Sequence, residues 1–260
     1  SESGAGAATP VSAFPTPVDG VITLTADVSY ALTKNITVEA KQIDLAGFDL
    51  SVSGKGTLTL KAKDLGTSFL TNSSTEKQST VSVTGAELVI TNSDLGKHEV
   101  AGDSLVLTNV EGAKGIAFVA DQKATLDFES KDSSVSTIQT ASGNTTITIN
   151  GGSKLVYNAG SAQAVGVVVD SSTADIKNLE GTTFAAYWCL RNSTVNATDI
   201  DIYAASLTNK SSFNVKGFAA FYSNTNGTNA FTGKDLADLE LSTVVVDSSS
   251  TISAKTFYTA

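Results

Sequence analysis

The side chains best placed for chemistry in this chain of 260 residues are two carboxylates, Asp199 and Asp201, separated by one residue. Residues i and i+2 of a β-strand point to the same side, so a strand here would present both acids together. Paired carboxylates are the groups that glycoside hydrolysis requires. The residues expected beside them one repeat later are Asn214 and Lys216 rather than further acids, and we interpret the pair as part of an exposed polar face. Asp44, Asp49, Asp127 and Asp132 are dispersed over other parts of the chain, so the sequence predicts no acidic cluster around the pair.

Aromatic residues cluster on either side of these carboxylates. Tyr187 and Trp188 precede them, and Phe221 and Tyr222 follow them. Two readings remain open, because stacked rings can form a platform for a sugar or can fill the interior of the protein. Under the first reading, carbohydrate contacts would come from six residues: Tyr187, Trp188, Phe221, Tyr222, Asp199 and Asp201.

Other reactive side chains are scarce. His98 is the only histidine and lies in a polar corner with Asp94 and Lys97, so no histidine-based metal site or Ser–His–Asp arrangement is indicated. Cys189 sits in the apolar stretch 184–190, where packing is a better explanation than nucleophilic chemistry. We therefore predict no catalytic residue, no metal and no cofactor.

Charge excludes a nucleic-acid-binding protein, and the length of the apolar runs excludes a membrane-spanning one. With 17 basic and 26 acidic side chains, the net charge is −9, and Arg191 is the single arginine, so the basic surface that nucleic-acid binding needs is missing. No apolar run approaches the length of about 20 residues that a membrane span requires.

Several features favour an exported protein. The chain begins Ser-Glu-Ser and contains no Met, which is typical of a mature product whose leader has been removed. Seven Asn-x-Ser/Thr sequons would suit a glycosylated surface protein. They start at Asn35, Asn72, Asn144, Asn192, Asn196, Asn209 and Asn226.

The elements that must position these residues are almost all strands. Residues 1–20 contain all three prolines and predict an extended leader or an edge strand. From Val21 onward, short runs of alternating apolar and polar residues are separated by Gly, Asn, Asp and Ser, which indicates strands and turns. The best helix candidate is Thr232 to Leu241, where Leu236, Leu239 and Leu241 could share one side.

The strand pattern recurs with a degenerate period of about 20 residues, which predicts a parallel β-solenoid in which each repeat is one coil. Stacked coils place like residues about 4.8 Å apart, which disfavours repeated charges and favours hydroxyl and amide ladders. The composition agrees, since 66 residues are Ser or Thr and only 17% are charged. The alternative is a tandem of β-sandwiches, but the turns and the linker expected of one are missing.

We accordingly predict an all-β parallel β-helix of roughly ten coils. Its expected parts are a leader at 1–20, first coils or a cap at 21–55, and the solenoid at 56–260.

The N-terminal block resembles a known family. The segments Val21-Ile-Thr-Leu-Thr-Ala-Asp-Val-Ser-Tyr-Ala-Leu, Asn35-Ile-Thr-Val and Ile43-Asp-Leu-Ala-Gly-Phe-Asp-Leu are similar to the opening of pectate-lyase-like right-handed β-helices of bacterial and archaeal surface proteins. Ala46 stands where that family usually carries Asn. The resemblance covers about thirty residues and implies the fold, an all-β, right-handed parallel β-helix. It implies no single activity, because that superfamily includes lyases, hydrolases, adhesins and envelope proteins.

The C-terminal segment, from Thr251 to Ala260, still has the pattern of a strand and carries one Lys. We expect either that the chain is cut from a longer protein or that this edge pairs with another chain. The function we expect is therefore a non-enzymatic structural or adhesive solenoid, secreted or on the cell surface or envelope, that associates with itself. The alternative is a β-helix protein that binds or cleaves glycans.

Overall fold

The computed structural model describes residues 10–11, 13–64, 68–92, 105–107, 112–130, 136–138, 145–222, 231, 233–240 and 242–259. In these ranges the chain is nearly all β and winds into a stack with three faces. The one helix of the described ranges, α1 (Lys234–Ala237), is a single turn.

Faces 1 and 2 belong to one continuous sheet. Face 1 contains the strands β2 (Val21–Thr23), β5 (Gln42–Asp44), β8 (Leu70–Thr71), β11 (Leu105–Leu107), β14 (Ser136–Ile138), β23 (Phe218–Phe221) and β26 (Thr256–Thr259). Face 2 contains β1 (Pro10–Val11), β3 (Val28–Leu32), β6 (Leu50–Gly54), β9 (Ser79–Thr84), β12 (Ile116–Asp121), β15 (Thr146–Ile149) and β24 (Val244–Val246). Three long strands cross both faces: β17 (Ala162–Asp170), β19 (Phe184–Arg191) and β21 (Ile200–Thr208).

Face 3 is a separate sheet of nine strands, one from each turn of the stack. They are β4 (Ile36–Ala40), β7 (Thr57–Ala62), β10 (Glu87–Thr91), β13 (Thr125–Glu129), β16 (Lys154–Ala159), β18 (Thr173–Asn178), β20 (Thr194–Ala197), β22 (Ser212–Val215) and β25 (Thr251–Ser253). All pairings between these strands are parallel, and the register is continuous through the sheet.

Parallel pairing confirms the predicted β-helix and excludes the β-sandwich alternative, because sandwiches are built from antiparallel strands. Alternation along each strand sends one set of side chains to the interior. On face 3, one interior column runs through all nine strands and is apolar at each position: Ile36, Leu58, Leu88, Leu126, Leu155, Ala174, Val195, Phe213 and Ile252.

An unbroken chain of aromatic rings fills the interior of the second half of the stack. Phe184 packs against Tyr157 with 4.9 Å between ring centroids, and Trp188 packs against Phe213 at the same distance. Edge-to-face contacts of this kind add to the stabilisation that burial provides. The chain consists of Phe118, Phe128, Tyr157, Phe184, Trp188 and Phe213.

The number of residues in each coil varies more widely than the predicted period of about 20 residues. Between equivalent corner residues before face 3, the step is 29 residues from Ala124 to Ser153, 19 from Ser153 to Ser172, and 39 from Ser211 to Ser250. Similar runs of sequence belong to different faces, since Thr80-Val-Ser-Val lies in β9 of face 2 whereas Ser172-Thr-Ala-Asp-Ile leads into β18 of face 3. All three faces have the same alternating pattern, so sequence alone could not assign strands to faces.

The N-terminal residues that the structure describes join the same stack. Pro10–Val11 lies beside β3, as the predicted edge strand would. Strands within 21–55 pair directly with strands beyond residue 56, as β4 does with β7. At the position where the resemblance expects Asn, Ala46 adopts a left-handed φ of 49° and donates its N–H to Asp44 Oδ1.

The search for membrane-spanning helices in the described part of the chain finds none of sufficient length and hydrophobicity.

Candidate functional site

Tyrosines and a carboxylate form a patch on the outer surface where faces 1 and 2 meet. Asp201 and Tyr203 are alternate residues of β21 and point outward. The Tyr203 ring lies 5.8 Å from Tyr222 and 5.3 Å from Tyr187. Tyr222 keeps 38% of its surface exposed. Tyr203 was missed by the sequence analysis, although its spacing of two from Asp201 would have revealed it.

Burial sets the electrostatics of this patch. It raises the pKa of Asp201 to about 6. Burial, with the Asp201 charge as the next contribution, also raises the pKa of the Tyr203 hydroxyl. A half-buried carboxyl beside tyrosines can donate or accept a hydrogen bond near neutral pH. The patch therefore offers ring faces and a titrating acid to a polar ligand.

Asp199 stabilises the backbone of the next coil by a hydrogen bond. It lies in the turn before β21, and its Oδ1 accepts the N–H of Phe218 from the next coil at 2.9 Å. A β-carbon on Gly217 would collide with the same carboxylate. The neighbours of Asp201 across the sheet are Ala185 and Ala220, whereas sequence reasoning expected Asn214 and Lys216. Those two residues belong to face 3.

The remaining aromatic residues of the predicted carbohydrate site are separated by the alternation of their strands. Trp188 is fully buried in the ring chain of the interior, so it offers no surface to a sugar. Phe221 is half-buried and stacks on Phe257 with centroids 5.9 Å apart. Tyr187 points outward but is covered by Phe231. Of the six predicted contact residues, Asp201, Tyr222 and the covered Tyr187 lie beside Tyr203.

Residues 231 and 233–240, which come between β23 of face 1 and β24 of face 2, pack on the outer surface, and we call them the strap. Leu236 and Leu239 are buried in one outer cluster with Phe231, as the predicted helix placed the two leucines on one side. Leu241 lies outside the described residues. Under the strap are Val168, Tyr187, Cys189 and Ala204.

Arg191 connects the strap to the solenoid through hydrogen bonds to Asp235 and Asp170. Its guanidinium donates to both carboxylate oxygens of Asp235, at 2.7 and 3.1 Å, and to Asp170 at 3.1 Å. The bidentate bond lowers the pKa of Asp235. A planar guanidinium suits this geometry, which a lysine could not reproduce.

Cys189 lies beneath the strap, beside Arg191, and packs in the outer cluster, as expected of a packing residue. Burial is the main cause that raises the pKa of its thiol, against the opposing charge of Arg191. The thiolate is the reactive form, so this environment suppresses nucleophilic chemistry.

Face 3 carries a groove of about 530 Å³ over β18, β20 and β22. A ladder of side chains runs along it, with Asn196 Nδ2 donating to Asp175 Oδ1 and Asn214 Nδ2 donating to Asn196 Oδ1, each at 3.2 Å. Lys154 pairs with Asp175 at 3.0 Å. The side chains of this groove bond mainly to one another, as expected of a stacked hydroxyl and amide ladder.

The last coil presents apolar side chains to solvent. Exposed fractions are 54% for Val245, 38% for Val246, 51% for Phe257 and 53% for Tyr258. These are four of the six large hydrophobic side chains that are exposed among the described residues. Each strand of this coil pairs with a strand on one side, through β21, β22 and β23.

The sequons differ in accessibility. Asn72 is buried, accepts the N–H groups of Gly47 and Ser74, and donates to the carbonyls of Lys77 and Gly115. Its amide is therefore unavailable for glycosylation in the folded chain. The sequon asparagines that are exposed are Asn35, Asn192, Asn196 and Asn209.

Some predicted features lie outside the described residues. They include His98 with Asp94 and Lys97, Asp132, the sequons at Asn144 and Asn226, and residues 223–230. Within the described ranges, no group of three His, Cys, Asp or Glu side chains is arranged to hold a metal ion.

Comparison of the chain with protein families, with curated proteins and with solved structures finds no match in any of the three.

Proposed function

We propose that this chain is a structural or adhesive β-solenoid of the cell surface or envelope, secreted, which associates with itself through the open strand edges of its last coil. The proposal includes a right-handed winding, as in the pectate-lyase-like surface proteins that the N-terminal block resembles. Connections between parallel strands are right-handed in nearly all proteins, which supports that hand.

The observation that carries the proposal is the character of the last coil. Strands β24, β25 and β26 have one free edge each among the described strands, and their apolar side chains are exposed. Free edges with apolar residues are templates for pairing with a further strand. The ladder from Asp175 through Asn196 to Asn214 on the outer surface is the kind of stacked polar contact expected of a structural solenoid.

The test is sedimentation velocity and electron microscopy of the chain of 260 residues over a range of concentrations. We expect assemblies, and we expect Val245→Lys to shift them to monomers because an edge lysine opposes strand pairing. Val119→Lys is the matched control, since Val119 points outward from β12, which has β9 and β15 on its two sides. Monomers of the unmodified chain at every concentration would contradict the proposal.

The second candidate function is glycan binding or cleavage, and the Asp201–Tyr203–Tyr222 patch favours it. A polysaccharide panel would test it with Tyr203→Ala and Asp201→Asn, and with Tyr258→Ala as a control outside the patch. Binding or turnover that both patch variants abolish, and the control retains, would support it. Because Trp188 is the only tryptophan and is buried, we expect a bound sugar to leave its emission unchanged.

A further inference from the structure

A β-bulge in β21 directs a tyrosine into the outer patch. The register between β19 and β21 shifts at Tyr187, and Tyr203 is the additional residue on β21. Bulges re-aim a side chain, and they are over-represented next to active sites. The Tyr203 ring lies between Tyr187 and Tyr222, with ring centroids 5.3 and 5.8 Å away. The bulge thus gathers tyrosine rings beside Asp201.

The charge of Asp201 has no partner in the described part of the chain. Its neighbours across the sheet are Ala185 and Ala220, and a methyl group cannot donate a hydrogen bond to the carboxylate. Burial raises the pKa of this carboxyl, and no Lys or Arg of the described residues lowers it. A half-buried charge without a donor or a counter-charge is costly. The carboxylate is therefore open to a ligand that brings N–H donors and a positive charge.

The tyrosines favour the same kind of ligand. The rings of Tyr203 and Tyr222 are inclined at 65° to each other and form a corner next to Asp201. Ring faces attract cations, and they also offer apolar area to the C–H groups of a sugar. An acidic sugar would be repelled by the carboxylate, whereas a neutral sugar would leave its charge uncompensated. A sugar with a cationic group satisfies both parts of the patch.

We propose that the patch of Asp201, Tyr203 and Tyr222 binds a glycan that carries a protonated primary amino group. The ammonium donates hydrogen bonds to the Asp201 carboxylate, and the C–H face of the sugar packs on the tyrosine rings. The inference rests on the glycan-binding candidate and deepens it by naming the class of sugar. Hydrogen bonds between two charged groups are stronger than neutral ones, so the amino group provides the selectivity.

Calorimetric titration with two matched trisaccharides tests the inference. One is built from glucosamine and the other from N-acetylglucosamine, so the two share their sugar rings and differ in charge. At pH 7 we expect the glucosamine trisaccharide to bind about tenfold more tightly, since the neutral one leaves Asp201 uncompensated. Cadaverine, a diamine without a sugar ring, should bind more weakly than the glucosamine trisaccharide because it has no C–H face for the tyrosines.

Variants separate the contributions of charge and ring. Asp201→Asn should abolish the preference for the charged trisaccharide. Tyr203→Leu should weaken its binding by about tenfold, whereas Tyr203→Phe keeps the ring and should retain the binding. Glu76→Gln is the control for charge, because it removes one exposed carboxylate just before β9, five strands away from β21 along the stack. We expect this control to bind like the unmodified chain.

The outcomes separate this inference from the candidate function it rests on. Equal binding of both trisaccharides, unchanged in Asp201→Asn, would overturn the amino-sugar inference and leave glycan binding intact. Absence of binding of either trisaccharide to the unmodified chain would overturn both. An equal loss in Glu76→Gln and Asp201→Asn would overturn the inference as well, because general attraction to an acidic protein would then explain the binding. Circular dichroism and the urea midpoint of each variant show whether it has kept the fold.

Discussion

The backbone N–H of Ser193 donates a hydrogen bond to the hydroxyl oxygen of Ser211, one coil further along the stack, at 3.2 Å. The same bond joins Ser172 to Ser193 and Ser211 to Ser250. These buried hydroxyls sit at the corner before face 3, where the chain turns and the N–H has no strand partner. Each coil thus supplies a hydrogen bond that the previous coil needs at its corner.

Ser211→Ala removes one step of this ladder. The N–H of Ser193 would stay buried without its acceptor, so we expect a loss of about 1–3 kcal/mol in the free energy of unfolding. Ser212→Ala is the control, because Ser212 is the next residue in the chain and points outward. Urea denaturation of the two variants measures the difference. Equal stability of both would mean that the ladder contributes nothing.

The strap should detach when Gly166 gains a side chain. A β-carbon there would lie 2.6 Å from Leu236 and 3.0 Å from Phe231, while its φ lies outside the left-handed region. We expect Gly166→Ala to leave the solenoid folded and to raise the rate of Cys189 alkylation by about tenfold, equivalent to about 1.4 kcal/mol of docking free energy.

Arg191→Lys gives an independent check on the strap, because lysine cannot bond both oxygens of Asp235. We expect faster Cys189 alkylation in this variant too, with little change in the urea midpoint. An alkylation rate unchanged in both variants would show that the strap does not protect the thiol.

Asp127 makes the stability depend on pH. Burial is the main cause that raises its pKa to about 6, with Glu129 and Glu87 adding to it and Lys154 opposing. A carboxyl whose folded pKa lies above its unfolded value binds its proton more tightly in the folded chain, so stability falls as pH rises from about 4 to above 6. This loss continues until the folded carboxyl is ionised.

Asp127→Asn should therefore stabilise the chain at pH 8 and have little effect at pH 4. Allowing for the partial exposure of the group, we expect a gain of about 1 kcal/mol at pH 8. Urea unfolding at both pH values, with Asp175→Asn as a control on the same face, measures it. A gain of the same size at pH 4 would contradict the raised pKa.

The sequence was sufficient to predict the parallel β-helix, because alternation, small corner residues and low charge all follow from stacking. It was not sufficient for the arrangement of coils. Thr80 and Ser172 start similar runs but lead to different faces, and only the pairing of strands distinguishes them.

The sequence named some of the residues that meet at the outer patch, but not their arrangement. Tyr187, Asp201 and Tyr222 lie around Tyr203, whereas Trp188 faces the interior, since neighbouring residues of a strand point to opposite sides. The hydrogen bonds between Arg191 and Asp235 join residues that are 44 positions apart in the sequence. No local sequence pattern predicts a contact between residues so far apart.

Hydrogen exchange at β24, β25 and β26 tests the central claim most directly, because self-association would pair backbone N–H groups that are otherwise open to water. We predict that exchange in these strands slows as the protein concentration rises through the dissociation constant, while exchange in β16 and β18 does not change. Exchange in the last coil that is equally fast at every concentration would contradict the claim that these edges pair with a second copy.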